Sequence, residues 1–326
     1  MKTLDLTKRF LNSKLRKWLQ AFAGVLASVG LVWLIIKSLD WVRLWEILID
    51  FPFGFALLAA LSVLVGALLR ALRWYILING GVSIWQVFLT QNTGIGLNNL
   101  LPVRVASEPV QLALISKRYK LPFPRAFASL VAGNFMDLFA TVFIMALGVL
   151  LYPNLRGASI QMFSFLILSV IVILILIAGI KGLSVIPVLR SMHFFQQMTV
   201  AFNLIREAPL RLVLSFATTT ISWVMIGVAG WFLAEGLGIE TNIIRMTVVL
   251  VAATFFTSAI PSLPAGIGTY HWAIVYTLGL LGISQEPATA FAFIIHLMVF
   301  STSTIVAAIM LFRVGYKTLV ANREAN

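Results

Sequence analysis

Apolar residues do not alternate with polar ones along this chain; they run in long blocks separated by short charged patches. A block of about 20 apolar residues is the length of a helix that crosses a hydrocarbon core about 30 Å thick. Such blocks occupy 19–36, 52–69, 126–151, 160–180, 212–234 and 287–312. Two further regions, 82–116 and 243–285, are apolar but interrupted. The first interruption is Asn98-Asn99-Leu100-Leu101-Pro102-Val103-Arg104-Val105-Ala106-Ser107-Glu108-Pro109. The second is Ile260-Pro261-Ser262-Leu263-Pro264-Ala265-Gly266-Ile267-Gly268-Thr269-Tyr270-His271. Neither can face lipid, where freed backbone groups and charges have no partners. Each is expected to be buried in protein or to line a cavity that water reaches.

Charge sets the topology. Basic residues gather in cytoplasmic loops, and they cluster here in 1–18, in 70–125, in 181–211 and after 312. On that arrangement twenty of the 24 Lys and Arg lie inside, and only Lys37, Arg43, Arg156 and Arg245 lie outside. Parity then requires 82–116 to enter and leave from the inner face and 243–285 from the outer face. The first arm, Val82 to Leu97, would be about 24 Å long as a helix, short of the core. The expected fold is an all-α polytopic membrane protein with six full spans and two oppositely oriented re-entrant helical hairpins. The order span, span, hairpin, span occurs twice with opposite orientation, the pattern of an inverted-topology repeat.

Composition narrows the class. Of 326 residues 60% are hydrophobic and 11% charged, against about 25% charged in soluble domains. No stretch outside the apolar region is long enough for a soluble domain, so one membrane domain is expected over 1–326. It divides into a basic cytoplasmic arm (1–18), a first repeat (19–151), a second repeat (160–312) and a cytoplasmic tail (313–326). The block 19–36 follows a basic run as a signal peptide would, but it is longer than a usual signal core and reads as a retained span. Cysteine is absent, which excludes disulfides and thiolate chemistry. The net charge of +13 reflects cytoplasmic loops and attraction to anionic lipid, so no nucleic acid partner is expected.

The ionisable residues inside the apolar region are the candidates for function. Arg104 and Glu108 stand four apart and would share one helix face. Asp137 lies mid-span, and Arg70 and Arg73 close the second span. One reading is a polar site between the hairpins, where arginines bind an anionic headgroup and carboxylates orient them. The other is a buried ion network that only pins the hairpin, with Arg70 and Arg73 snorkelling to the cytoplasm. Asn92, Asn98 and Asn99 cap the broken helix or contact ligand, and Gly94 and Gly96 allow close helix packing. His271 is placed to titrate near neutral pH, whereas His296, alone in an apolar span, reads as a packing residue. Metal-ligand spacing, a phosphate-cradling loop and a nucleophile with its base are all missing, so neither a cofactor nor an enzyme active site is expected.

At these residues the chain resembles the flippase-like membrane domain family, the transmembrane region of lysylphosphatidylglycerol synthases (multiple peptide resistance factor proteins) and its stand-alone relatives. The resemblance rests on Arg70-x-x-Arg73-Trp74, Asn99-Leu100-Leu101-Pro102-x-Arg104 leading to Glu108-Pro109, Asp137, and Pro261-x-x-Pro264-x-Gly266-Ile267-Gly268. It covers roughly 15–315. The chain departs from the family pattern at Ala106-Ser107, Gln111, Asn134 and His271, where a Gly, an Arg, an Arg and a Glu are common. The resemblance implies binding and translocation of a lipid or lipid-linked anionic headgroup by alternating access. Arg104 would hold phosphate, Glu108 and Asp137 would orient it, and Pro264, Gly266 and Gly268 would form the opposing wall. A secondary transporter of a small soluble anion, or a membrane subunit presenting lipid to a separate enzyme, would share this architecture. The synthase chemistry itself is not expected of this chain. A multi-pass protein of the cell membrane with both termini in the cytoplasm is the expected location.

Overall fold

The computed structural model describes residues 28–37, 39–100, 107–153, 207–259 and 263–324, with Leu26 and Asn203 besides. Among these, all regular structure is helical. A helical stretch over 28–36 is followed by α1 (Trp41–Ile49) and α2 (Phe53–Ile78). Next come α3 (Ile84–Leu100) and the short α4 (Ser107–Ala113), which widens into a π turn at Leu114–Arg118. The first half ends with α5 (Phe123–Leu151). In the second half α6 (Pro209–Gly236) leads to α7 (Ile243–Ala259), a 3₁₀ turn at Pro264–Gly266, α8 (Thr269–Leu280) and α9 (Gln285–Glu324).

Four of these helices are long and apolar enough to cross a membrane: Phe53–Ile78, Phe123–Leu151, Pro209–Gly236 and Gln285–Phe312. Prolines open three of them, Pro52 before α2, Pro124 in the first turn of α5 and Pro209 at the start of α6, where a missing N–H costs nothing. The exit from α2 is left-handed at Asn79, Gly80 and Gly81. Arg125, in the first turn of α5, closes that end. Its Nε donates to the Ile78 carbonyl at 2.8 Å and its terminal nitrogen to that of Asn79.

Helices α2 and α6 pack most extensively of any pair, and they cross near their midpoints. There the Ser222 hydroxyl donates to the Gly66 carbonyl at 3.0 Å, and a Cβ on Gly66 would stand 3.3 Å from the Ser222 carbonyl oxygen. Small residues bring membrane helices this close. Around the crossing the two halves exchange partners. Helix α3 lies on α9 while α7 lies on α5. Gly96 meets the Ser303 backbone and Ala307 in the first contact, and Gly148 meets the Val248 side chain in the second. Each interrupted helix also folds back on its own continuation, α3 on α4 and α7 on α8. One core cluster joins α2 and α6–α9, and another joins α2, α3 and α5.

Several boundaries differ from those expected of the sequence. The second span runs on to Ile78, so Arg70 and Arg73 lie within a helix, not at its end. The stretch between the first two apolar blocks, outside every expected span, holds α1, whose first turn is capped by the Asp40 carboxylate accepting from Val42 and Arg43 N–H. Trp41, Val42, Trp45 and Ile49 form its exposed side and Leu44 its buried one. Helix α9 continues unbroken to Glu324, through most of the segment expected as a tail. The basic arm, residues 19–25 and 27 of the first span and the whole span expected at 160–180 lie outside the described residues.

Candidate functional site

The Arg73 side chain is almost fully buried on α2 and faces α5, where Asp137 is the middle residue of 29. The guanidinium pairs with the Asp137 carboxylate and donates to the Gly133 carbonyl at 3.1 Å. The guanidinium lies against Gly133, where a Cβ would stand 3.7 Å from its terminal nitrogen, an ordinary contact distance. One residue on, the Trp74 indole N–H donates to Ser129 Oγ at 3.1 Å, fixing the rotation of α2 against α5. Arg70 lies nearly one turn earlier and interacts electrostatically with both Asp137 and Arg73. Asp137 is thus in ion-pair contact with Arg73 alone, with Arg70 near enough to feel both charges, and the three side chains together carry one net positive charge. Snorkelling describes neither the burial nor the pairing of Arg73.

The first interrupted segment ends α3 with Asn98 and Asn99, both half-buried. The Asn99 amide donates to Ser303 Oγ at 3.1 Å and Thr304 Oγ1 at 3.5 Å on α9, so it ties the tip to a second-half helix. Asn92 stays within its own helix, donating to the Phe88 carbonyl. Gly94 performs the packing expected of it. A Cβ at that position would lie 2.6 Å from Gln111 Cγ and 2.7 Å from the Ser107 carbonyl oxygen. Gln111 is buried there and donates to Ser107 Oγ at 2.7 Å. Glu108 is exposed in the first turn of α4 and makes no ion pair with a described residue. Arg104, its expected partner, lies outside the described residues.

The second interrupted segment turns at Pro264–Gly266 and packs against α3, the helix that leads into the first interruption. The turn needs left-handed backbone at Ala265, Gly266 and Gly268 (φ 58°, 76° and 89°), which explains the glycines. Ser28, fully buried on the first helical stretch, braces it. Its hydroxyl accepts from Leu263 N–H at 3.0 Å, and its carbonyl oxygen lies 2.7 Å from where a Gly268 Cβ would be. Thr269 Oγ1 donates to the Gly266 carbonyl at 3.1 Å. Two residues later His271 is buried and stands 3.2 Å, Nε2 to Nδ1, from His296 on α9. The rings of Tyr270 and Phe293 close round the pair, 5.2 Å from His296 and 4.6 Å from His271.

The structure thus gathers most of the predicted residues into two clusters. Arg70, Arg73 and Asp137 form one, between α2 and α5. Asn99 and the segment from Pro264 to His271 form the other, on α9, whose stripe Phe293–His296–Phe300–Ser303–Ala307 touches both breaks. His296, Ser303, Thr304 and Ser28 belong to it although sequence reasoning did not place them there. His296 was legible in one respect: it and His271 stand at nearly equal distances from the turn at 281–284, so an antiparallel α8–α9 pair puts them at one depth. Among the described residues no group of three or more metal-ligating side chains occurs.

Long apolar helices with interrupted ones inserted between them define a polytopic helical membrane protein. Residues 21–307 match the family model described as lysylphosphatidylglycerol synthase TM region, and the chain belongs to that family. It is also similar to a UPF0104 membrane protein of Methanothermobacter thermautotrophicus, with 24% identity covering 72% of this chain and 78% of that protein.

Proposed function

We propose that the protein binds a lipid or lipid-linked anionic headgroup and carries it across the cell membrane by alternating access, without enzymatic chemistry of its own. The observation that carries the reading is the charge balance at α2 and α5. Arg70 and Arg73 face one carboxylate, Asp137, inside a membrane domain. A lone positive charge in that setting is costly, and an anionic headgroup arriving there offsets it. Membership of a family named for an enzyme that modifies an anionic lipid supports a lipid ligand, and a separate lipid-modifying enzyme is a natural partner.

The exchanged packing of the two halves supports the transport mechanism. Interrupted helices of the same length, 17 residues each, lie on the long last helix of the opposite half. An inverted repeat of two re-entrant hairpins entering from opposite faces produces this pattern, and its two-fold axis would pass through the Gly66–Ser222 crossing. Rocking about that crossing would expose the region between the breaks to each side in turn. Both termini would then be cytoplasmic.

The test is movement of fluorescent anionic and zwitterionic lipids across proteoliposome membranes, wild type against Arg70→Gln and Arg104→Gln. Selective loss of anionic-lipid movement in folded variants is the expected result. A wild type that moves no lipid, under conditions where it is folded, would overturn translocation.

A further inference from the structure

We propose that Thr90 and Gln91 on α3 read the headgroup held at Arg70 and Arg73, selecting an anionic phosphodiester whose alcohol part carries hydroxyl groups. The inference rests on the lipid-binding function proposed above and names the class of headgroup. It starts from the polar groups along α3. That helix buries Thr90, Gln91, Asn92 and Thr93 in succession, an expensive run inside a membrane domain. Asn92 and Thr93 are satisfied within the helix, donating to the Phe88 carbonyl at 2.9 Å and the Leu89 carbonyl at 2.6 Å. Thr90 Oγ1 and Gln91 Oε1 have no hydrogen-bond partner, although Thr90 is fully buried and Gln91 only 5% exposed.

Thr90 departs from the rule that the other threonines follow. A helical threonine in an apolar setting commonly returns its hydroxyl proton to the carbonyl four residues back. Thr93, Thr219, Thr247, Thr277 and Thr289 all do so, at 2.6–2.8 Å. Thr90 makes no such bond to the Gln86 carbonyl, which leaves its hydroxyl uncommitted. Buried polar groups without a partner cost stability, and native proteins keep few of them. Two on adjacent residues point to a ligand that completes them.

A third unpartnered atom lies at the same level. Helices α2 and α3 are joined by the short turn at 79–83 and pack side by side, so they run antiparallel. Trp74, four residues before the end of α2, shares a core cluster with Phe88, four residues after the start of α3. Continued residue for residue, that pairing sets Thr90 and Gln91 level with the stretch from Arg70 to Arg73. Arg73 Nε is buried there and makes no hydrogen bond, and Arg70 is in ion-pair contact with no described carboxylate. Packed helices stand about 8–10 Å apart, a gap that one headgroup bridges.

The polarity of these atoms sorts the candidate ligands. Arg73 Nε–H and the Arg70 guanidinium can only donate, so they take phosphate oxygens. Gln91 Oε1 can only accept, and Thr90 Oγ1 can accept as well as donate. They need a ligand that offers O–H or N–H. A choline ammonium offers neither. An ethanolamine ammonium offers N–H, but its headgroup is a zwitterion and leaves the net charge of Arg70, Arg73 and Asp137 unmatched. A phosphodiester monoanion bearing hydroxyls meets both requirements. Both α3 atoms are covered in this conformation, so the contact forms once α3 moves away from α2 and a headgroup enters between them.

Short-chain phosphatidylglycerol and short-chain phosphatidylmethanol carry the same charge, and only the first has hydroxyls beyond its phosphate. Calorimetric titration of the full-length protein in detergent compares them, with glycerophosphoglycerol as the same headgroup without acyl chains. The wild type should bind phosphatidylglycerol about tenfold more tightly than phosphatidylmethanol, the worth of one or two net hydrogen bonds. The ratio should fall toward one in Thr90→Val and in Gln91→Leu. Because the atoms removed are unpartnered, the thermal midpoint of each lipid-free variant should match or exceed that of the wild type. A lower midpoint would show the side chains satisfied within the fold and would overturn the inference. Equal affinity of the wild type for the two lipids would overturn it too, while leaving the proposed function standing. So would a ratio that keeps its wild-type value in both variants, whatever happens to the separate affinities. Glycerophosphoglycerol bound as tightly as the lipid would support the same chemistry with a soluble phosphodiester as ligand. No binding of any anionic probe would overturn both the inference and the function on which it rests.

Discussion

Replacing Asp137 with Asn strands the Arg73 guanidinium inside the membrane domain, and the size of the penalty can be worked from its surroundings. Removing one partner of a buried ion pair costs about 3–5 kcal/mol, because the other charge is left uncompensated. Two features reduce that figure here. The Asp137 side chain keeps 36% of its exposure while that of Arg73 keeps 6%, so part of the attraction is screened. The Gly133 carbonyl also remains to accept one guanidinium hydrogen bond. A loss of roughly 2–3 kcal/mol is expected for Asp137→Asn. Arg73→Gln, which leaves the more exposed member charged, should cost about 1–2 kcal/mol. The double variant should be less destabilised than the sum of the two by about 2 kcal/mol, because neither charge is then left alone. Reversible unfolding in a mixed micelle, followed by circular dichroism over an SDS series, gives the four free energies. Single losses that add to within about 0.5 kcal/mol in the double variant would refute the claim that these two charges hold α2 to α5.

Three further outcomes follow from the geometry. Gly268→Ala forces a Cβ to within 2.7 Å of the Ser28 carbonyl oxygen and into left-handed backbone, so it should cost about 2–4 kcal/mol; a thermal midpoint unchanged from wild type would contradict the bracing role of Ser28. The chain has no native cysteine, so single cysteines at positions 95 and 267 can be labelled in intact vesicles. Access of an impermeant maleimide from opposite faces is expected, and access from the same face would sink the inverted repeat. Brominated lipids should quench the emission of Trp41 and Trp45, whose side of α1 is exposed, as expected for an amphipathic helix lying in the membrane interface; in a Trp41→Leu/Trp45→Leu variant most of the shallow quenching should disappear.

How far the sequence could be read depended on the scale of the physics involved. Long blocks such as Phe123–Leu151 and Pro209–Gly236 declare themselves, because a membrane helix needs an unbroken apolar run. The interrupted segments were equally legible, since Pro261, Pro264, Gly266 and Gly268 cannot continue a helix and Asn98 and Asn99 do not belong in lipid. The end of α2 was not. Arg70 and Arg73 read as the cytoplasmic limit of a span, and only the partner Asp137, 64 residues further on, lets Arg73 stay inside. Helix α1 was hidden for the opposite reason: nine residues with two charges, flanked by Asp40 and Asp50, look like a loop until Trp41, Trp45 and Ile49 are seen to share one face. His296 looked like a packing residue because its partner is remote in the chain and close only after α8 and α9 fold against each other. Pairings of this kind are tertiary facts, and single-residue character does not encode them.

Helix α9 fixes the spacing between the two breaks, since His296 touches one and Ser303 the other, seven residues apart. That interval is about 10 Å of helix. Water following each break inward from its own face would leave a septum of that thickness as the layer across which the membrane voltage falls. The field there would be about three times that across a 30 Å core, and each unit of charge crossing it would gain or lose about 2.3 kcal/mol per 100 mV. A singly charged headgroup crossing that septum would carry its charge through the concentrated field, so its passage would answer to voltage as well as to concentration.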